Sequence, residues 1–164
     1  MTTLPLNAAG AVDVEGVFAN PPEGFLRTLA PTLVSRDEQQ AVLRFDAGKH
    51  LHNHVGGPHA ATLFGVGELS AFALLLTVFN DEVVAGGVPF IKSGDIAYQA
   101  LVLEPVLVTA RITDDVAAAR ERYAERGSVS FACEVVFTLE GSGQQTTVMH
   151  PTMTLKRFRP PAAP

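Results

Sequence analysis

Apolar and polar residues alternate along five stretches of the chain, and one long apolar run lies between the first stretch and the other four. Such alternation is typical of strands with one buried face, and it predicts strands over residues 41–45, 88–99, 106–112, 129–139 and 148–155. The run over residues 59–79 is too long for a strand and predicts one long, mostly buried helix. The pattern therefore predicts an α+β fold in which an antiparallel sheet of about five strands wraps around this helix.

Turn and cap residues mark where these elements end. Gly141-Ser142-Gly143 predicts the turn of a hairpin between the last two strands. Pro151 predicts a bulge or an unpaired stretch of edge in the second of them. Asp114-Asp115 and Gly127 are typical cap residues, and they predict a short polar helix over residues 116–126.

The chain length suits a single domain. Residues 1–21 carry little periodicity and predict an extended or loosely attached arm, residues 22–159 the folded domain, and residues 160–164 a disordered tail. Pro22 suits the first turn of a short helix at the start of the domain. Because one helix covers only part of such a sheet, we expect a second copy to pair sheet edges and complete the core. A homodimer is expected, and a tetramer is compatible with the same pattern.

Composition and charge exclude several classes of function. A net charge of −5 and the lack of a basic stripe predict no nucleic-acid partner. Cys133 is the only cysteine and lies in a predicted strand, so it is expected in the core of a cytoplasmic protein. Residues 60–79 are long enough to span a membrane, but Glu68 near their middle favours a buried helix and no membrane partner.

Four of the five histidines lie close together: His50, His52 and His54 in a loop rich in Gly, His and Asn, and His59 at the start of the long helix that follows it. The alternation of His50, His52 and His54 would place three imidazoles on one side of an extended segment, and imidazole is the commonest zinc ligand. No cysteine or carboxylate lies nearby at ligand spacing, and no HExxH motif occurs. Solvated loop histidines are the simpler interpretation, and a metal-dependent enzyme is the less favoured alternative.

Glu68 is the only charged residue in the long apolar run. It lies about two and a half turns into the helix, and Phe64 and Phe72 lie near it on the same face. A buried carboxylate without a partner costs several kcal/mol or shifts its pKa upward, so its presence indicates a function. Two structural alternatives remain: the helix rotates Glu68 to solvent, or Glu68 pairs with an arginine such as Arg111.

The residues before the helix favour a site for negative charge at its start. Gly56-Gly57-Pro58 allows a tight turn of the chain into the helix. The first-turn amides near Ala60 carry the positive end of the helix dipole. Such amides stabilise a developing oxyanion, and a carboxylate nearby can attack a thioester or deprotonate water. Since about two helical turns separate Ala60 from Glu68, the pair predicts thioester hydrolysis.

The segment Asn53-x-x-Gly56-x-x-His59-Ala60-Ala61, followed by Glu68, resembles the helix-start motif of hotdog-fold acyl-CoA thioesterases, particularly the phenylacetate-pathway type. In that family two glycines usually follow the histidine, and an Asp or Glu lies nine positions beyond it. The resemblance implies a hotdog fold and a dimer that hydrolyses an acyl thioester delivered by CoA or a carrier protein. It implies no metal and no organic cofactor, with CoA only as part of the substrate.

The resemblance also implies roles for individual residues. Glu68 becomes the nucleophile or general base, and the Ala60 amide becomes the oxyanion donor. His59 and Asn53 become orienting residues for the thioester, the helix start or the attacking water. The expected contacts of the acyl group are Gly57, Ala61, Phe64 and Phe72. CoA phosphates would also need cations, and the candidates are Lys92, Arg120, Arg122 and Arg126, although solvated charges on a helix and a loop are the simpler interpretation of these four.

The two alanines after His59 motivate a second hypothesis from a different class. Their methyl groups leave the amides intact but narrow the approach to them. The alternative is a non-catalytic hotdog module that binds an acyl thioester or another hydrophobic ligand.

Overall fold

The computed structural model describes residues 4–157, which form one six-stranded antiparallel sheet and five helices. The helices are α1 (Val14–Ala19), α2 (Phe25–Leu29), α3 (Ala60–Val78), α4 (Asn80–Val84) and α5 (Val116–Arg126). The strands are β1 (Thr32–Arg36), β2 (Ala41–Phe45), β3 (Gly87–Tyr98), β4 (Val106–Ile112), β5 (Ser128–Leu139) and β6 (Gln145–Arg157). Their order across the sheet is β1-β2-β4-β5-β6-β3. The predicted sheet around one long helix is confirmed.

The core lies between α3 and one face of the sheet. Strands β2, β4 and β5 bury every second residue along most of their length, as alternation predicts. Gly67 lets α3 approach closely, because a Cβ there would lie 2.7 Å from the sulfur of Met149. The Ser70 hydroxyl is fully buried and donates to the Val108 carbonyl at 3.0 Å, which fixes α3 to β4. Cys133 is buried, as predicted.

The long helix has the properties that its sequence predicts. Its length and apolar composition would allow it to cross a membrane, but 67% of an 18-residue stretch of this helix is buried inside the protein. His59 and Phe79, the predicted ends, are its N-cap and C-cap residues. The chain does not become strand-like directly afterwards, because the short helix α4 follows before β3 begins.

The polar helix and the hairpin are also confirmed. The Asp115 carboxylate accepts a hydrogen bond from the Ala118 amide at the start of α5, and Gly127 ends the helix with φ at 66°. Strands β5 and β6 pair along most of their length on either side of the predicted turn. Short-range cap and turn chemistry was sufficient to predict both features.

The extended N-terminal arm predicted over residues 1–21 is wrong where the structure describes it. Residues 14–19 form α1, and the Asp13 carboxylate caps it by accepting from the Gly16 amide at 2.9 Å. Val14, Val17 and Phe18 are buried in the main core. Their spacing is that of one helix face, so the signal is present in the sequence but too short to stand out. The tail predicted as disordered, 160–164, lies outside the described residues.

Strand β1 was not predicted, because most of its residues are exposed and no alternation marks it. It forms one edge of the sheet and β3 forms the other. Pro151 lies in β6, which has neighbours on both sides, so its predicted place on an edge is wrong. The predicted loss of pairing is present, because no β5 partner is paired between Met149 and Thr152. The neighbouring strand β3 has a bulge next to this stretch, between Ile91 and Ser93.

Candidate functional site

One face of α3 is covered neither by the sheet nor fully by the other helices. Ala61 is exposed and Phe64, Glu68 and Phe72 are half-buried, whereas the sheet-facing residues of α3 are buried. Positions three or four apart share one side of a helix, so these four residues form a stripe, the open face of α3. Phe64 and Phe72 share this face with Glu68, as predicted, and a single carboxylate therefore lies within an apolar surface.

Glu68 has no hydrogen-bond or ion-pair partner among residues 4–157. Burial raises the pKa of its carboxyl above the ordinary value of a glutamate. The suggested pair with Arg111 does not form, because that guanidinium donates to the Gln40 side chain at 2.6 Å. The half-buried side chain is also not simply turned to solvent. Both structural explanations of Glu68 are therefore insufficient, and its placement favours a chemical role.

The start of α3 leaves one backbone amide without an acceptor in the described part of the chain. The His59 carbonyl accepts from the amides of Thr62 and Leu63, and the His59 Nδ1 atom accepts from the Ala61 amide at 3.2 Å. The Ala60 amide has no such partner, and Ala60 is exposed. Because the first turn carries the positive end of the helix dipole, this amide is the natural donor to an oxygen that gains negative charge.

The cap made by His59 also fixes its tautomer. Nδ1 accepts a hydrogen bond, so in the neutral imidazole the proton is on Nε2. The exposed ring therefore offers an N–H donor at the start of α3. This arrangement agrees with the predicted orienting role of His59.

Asn53 shapes the loop that leads into α3. Its side-chain oxygen accepts from the Val55 amide at 2.9 Å, and its side-chain nitrogen donates to the Pro58 carbonyl at 3.2 Å. Both polar groups of the Asn53 side chain thus form hydrogen bonds inside the loop. Of the three roles predicted for Asn53, this favours orientation of the helix start. Gly57 is buried, and a Cβ there would collide with the Val102 carbonyl oxygen. Gly57 therefore packs against a neighbouring loop and does not lie on the open face.

Tyr98 is a residue of the site that sequence reasoning missed. Its hydroxyl donates to the Ala60 carbonyl at 2.9 Å and joins the end of β3 to the first turn of α3. Burial raises the pKa of Tyr98, so the hydroxyl stays protonated and can donate. The two residues are 38 positions apart, and no local pattern connects them.

Structural comparison decides the fold. A protein of unknown function from Pseudomonas aeruginosa, a probable thioesterase, superposes with a TM-score of 0.74 at 21% identity, over 96% of this chain and 100% of that one. Zebrafish thioesterase superfamily member 2 gives a TM-score of 0.66 at 17% identity, over 85% and 93%. This chain has the hotdog fold.

The other comparisons of this hotdog chain do not indicate a function. A protein of unknown function from Chlorobaculum tepidum gives a TM-score of 0.75 at 10% identity, over 88% of this chain and 93% of that one. No family model matches the sequence, and no curated protein matches it. At such identities the likeness establishes the fold alone, and the chemistry must be argued from the site.

The histidine loop of this hotdog chain does not bring three imidazoles together. Residues Lys49–Leu51 form a turn of 3-10 helix, so the segment is not extended as the alternation suggested. The His52 Nε2 atom lies 3.0 Å from the Ala47 carbonyl oxygen. Within residues 4–157, no three histidine, cysteine or acidic side chains are arranged to hold a metal ion. The metal-dependent alternative therefore has no geometric support.

The four candidate cations for the CoA phosphates do not all have a free charged group. Arg120 donates to the Val78 carbonyl and pairs with Glu82 at 3.4 Å, so its guanidinium is used at the C-terminal end of α3. Arg122 and Arg126 lie on the same helix, α5. Lys92 is exposed at the bulge of β3. Of the four, Lys92 is the one placed on an open sheet edge.

Replacing His59 with alanine is expected to lower the free energy of unfolding by about 1 kcal/mol, because the substitution removes the side-chain acceptor at the N-cap of α3. Asparagine is a good N-cap residue and should restore most of this loss, yet it lacks the Nε2 donor. Urea denaturation of the two variants measures the difference. An equal loss of stability in both would contradict the capping role.

The raised pKa of Glu68 predicts how stability depends on pH. The folded state holds the Glu68 proton more tightly than the unfolded state, so this carboxyl favours folding below its unfolded pKa. That contribution is lost as the pH rises through the folded pKa. Glu68→Gln has no such titration and should be more stable than wild type at neutral pH, with the difference shrinking in acid. Urea denaturation across this range tests the prediction, and a difference that is constant with pH would contradict it.

Proposed function

We propose that this protein hydrolyses an acyl thioester, delivered by CoA or a carrier protein, without a metal or organic cofactor. One observation carries the proposal: an unpartnered, half-buried carboxylate lies on the open face of a helix whose Ala60 amide is also unpartnered. The name of the zebrafish structure, a thioesterase superfamily member, supports the same reaction class.

The chemistry requires few groups. The Ala60 amide donates a hydrogen bond to the thioester carbonyl oxygen and stabilises the negative charge that develops there. The carbonyl carbon is then attacked in one of two ways. Glu68 deprotonates a water that attacks directly, or its carboxylate attacks and forms an acyl anhydride that water hydrolyses. In either case the carbon–sulfur bond breaks, the thiolate leaves and takes up a proton, and a carboxylic acid is formed.

The acyl group would lie along the open face of α3. Ala61, Phe64 and Phe72 supply an apolar surface on both sides of Glu68. Such a surface with one functional carboxylate has the composition usual for a small-molecule site. Gly57 is not part of this surface because it is buried in the loop.

We further propose that the active form is a homodimer. Strand β3 is twelve residues long, and its outer side pairs with no strand in the described part of the chain. If a second copy paired with β3, this strand would no longer be an exposed sheet edge, and the second copy would cover the open face of α3. Along one helix, the eight residues from Ala60 to Glu68 span about 12 Å. The bound thioester and a water would therefore have to lie between these two groups, or the carboxylate at each site comes from the partner subunit.

Mixed dimers distinguish these two arrangements. One copy would carry Glu68→Gln, and the other would carry Ala60→Pro, which removes the backbone N–H. If the amide and the carboxylate act from different subunits, mixing the two inactive proteins restores one intact site per mixed dimer. If both act from one chain, the mixture stays inactive.

The direct test of the proposal is release of free thiol from a panel of short, long and aromatic acyl-CoAs and acyl-carrier thioesters. Turnover of at least one class well above the rate without enzyme is expected. If the folded wild-type protein releases thiol from none of them, the proposal is wrong.

The exposed methyl groups of Ala60 and Ala61 favour one second candidate, a non-catalytic module that binds an acyl thioester or other hydrophobic ligand. These methyls narrow the approach to the first-turn amides. Native mass spectrometry separates the candidates: an intact thioester that stays bound to wild type without turnover supports the module. Appearance of free acid and thiol supports the hydrolase.

A further inference from the structure

The ring of Phe25 rests directly on a glycine of α3. Phe25 begins α2, and a Cβ built on Gly65 would lie 2.5 Å from its Cε1 atom and 2.7 Å from its Cζ atom. A side chain at position 65 would therefore hold the ring away from the helix. Even so, Phe25 is 58% exposed, so much of its ring faces an open space.

Gly65 borders the open face of α3. At about 100° per residue, Gly65 lies about 40° around the helix from Ala61 and about 60° from Glu68. It is also about one turn from each of them along the axis. The Phe25 ring therefore flanks the stretch between the Ala60 amide and the Glu68 carboxylate, on the side where α2 packs.

The apolar surface around Glu68 is thus larger than the stripe on α3. Phe25 adds a second element to it, and Leu29, which is 3% exposed, anchors α2 beside Gly65. The Phe25 ring and the open face of α3 thus border the same space beside Glu68, which we call the acyl groove.

We infer that Phe25 is a specificity-determining residue that forms the side wall of the acyl groove and limits the length of the acyl group accepted. This inference rests on the proposed function, because it assigns the acyl group to the open face of α3. Removing the ring opens the space above Gly65 and lets longer chains lie beside α3.

The experiment compares kcat/KM along a series of straight-chain acyl-CoAs of increasing length. Each methylene that is buried in the groove should raise kcat/KM about 4-fold, which corresponds to about 0.8 kcal/mol. The wild-type series should rise and then stop rising at a limiting length. In Phe25→Ala this limit should move to longer chains, and in Phe25→Leu it should lie between the two.

Two further variants make the comparison specific. Gly65→Ala in the Phe25→Ala background partly refills the space and should move the limit back toward shorter chains. Val34→Ala removes a similarly exposed side chain from the edge strand β1 and should leave the limit unchanged. Because both Phe25 and Val34 are more than half exposed, these variants should fold.

Binding in the Glu68→Gln background separates this inference from the proposed function. Affinities for the same acyl-CoAs, measured by calorimetry, should show the same limiting length and the same displacement with Phe25→Ala. A displaced limit in binding without any wild-type turnover would support the groove and contradict hydrolysis. Turnover with an unchanged limit would contradict the role of Phe25 alone. If neither acyl-CoAs nor acyl-carrier thioesters bind or are hydrolysed, both are wrong.

Discussion

Replacing Glu68 with glutamine is expected to lower kcat/KM for thioester hydrolysis by about two to three orders of magnitude, which corresponds to about 3 to 4 kcal/mol of lost transition-state stabilisation. Glutamine has nearly the same shape but can neither attack a carbonyl carbon nor deprotonate water. Thiol release under single-turnover conditions measures the chemical step. The loss should appear in kcat more than in KM, because the apolar surface around position 68 is unchanged.

Glu68→Asp is the matched control. It keeps a carboxylate on the open face of α3 but shortens it by one methylene, so partial activity is expected. Wild-type turnover in Glu68→Gln would show that the carboxylate is not needed. Equal inactivity in both variants, with both folded, would show that its position matters as much as its charge.

Replacing Ala60 with proline is expected to reduce kcat by about two to three orders of magnitude, the loss typical of removing one oxyanion donor. Proline replaces the N–H that the structure leaves without an acceptor with a ring carbon, and it leaves the other first-turn amides in place. The first position of a helix tolerates proline, and His59 already has φ at −61° and ψ at 144°, which suit the residue before a proline. Stability should therefore be kept while activity is lost.

Ala60→Gly is the control for this variant. It keeps the amide and removes the methyl, so activity should be kept or should rise as the approach to the helix start widens. Circular dichroism and thermal unfolding of Ala60→Pro show whether α3 is intact. Full activity in a folded Ala60→Pro protein would remove the oxyanion role of this amide.

Much of the fold was predictable because its signals are local and repeated. The long apolar run defines α3, and alternation defines β2 and β4 with the bounds observed. The single carboxylate in the run was sufficient to predict that the position of Glu68 is unusual. Its lack of a partner depends on what every other chain segment does, so only the structure shows it.

The features that were missed depend on contacts between distant segments or on weak local signals. Tyr98 reaches Ala60 from the end of β3, and Phe25 reaches Gly65 from α2. No spacing rule relates such pairs. The histidine alternation was misleading for a different reason: period two implies one face only in an extended chain, and a 3-10 turn interrupts the segment at Lys49–Leu51.

The proposed catalytic role would account for the presence of Glu68 in apolar surroundings. Burial disfavours the ionised carboxylate, so the folded chain would be more stable with a neutral residue at this position. Sites that carry chemistry often retain such unfavourable groups. The predicted gain in stability and loss of activity in Glu68→Gln are two consequences of one placement.

The most direct test of the account is a crystal structure of the Glu68→Gln variant with an intact acyl-CoA bound. The thioester carbonyl oxygen is predicted at about 2.7–3.1 Å from the Ala60 nitrogen. The side chain at position 68 of one subunit is predicted to lie beside the carbonyl carbon, directly or through one water, with the acyl chain along Phe64 and Phe72. A thioester whose carbonyl lies away from both Ala60 and position 68 would contradict the account.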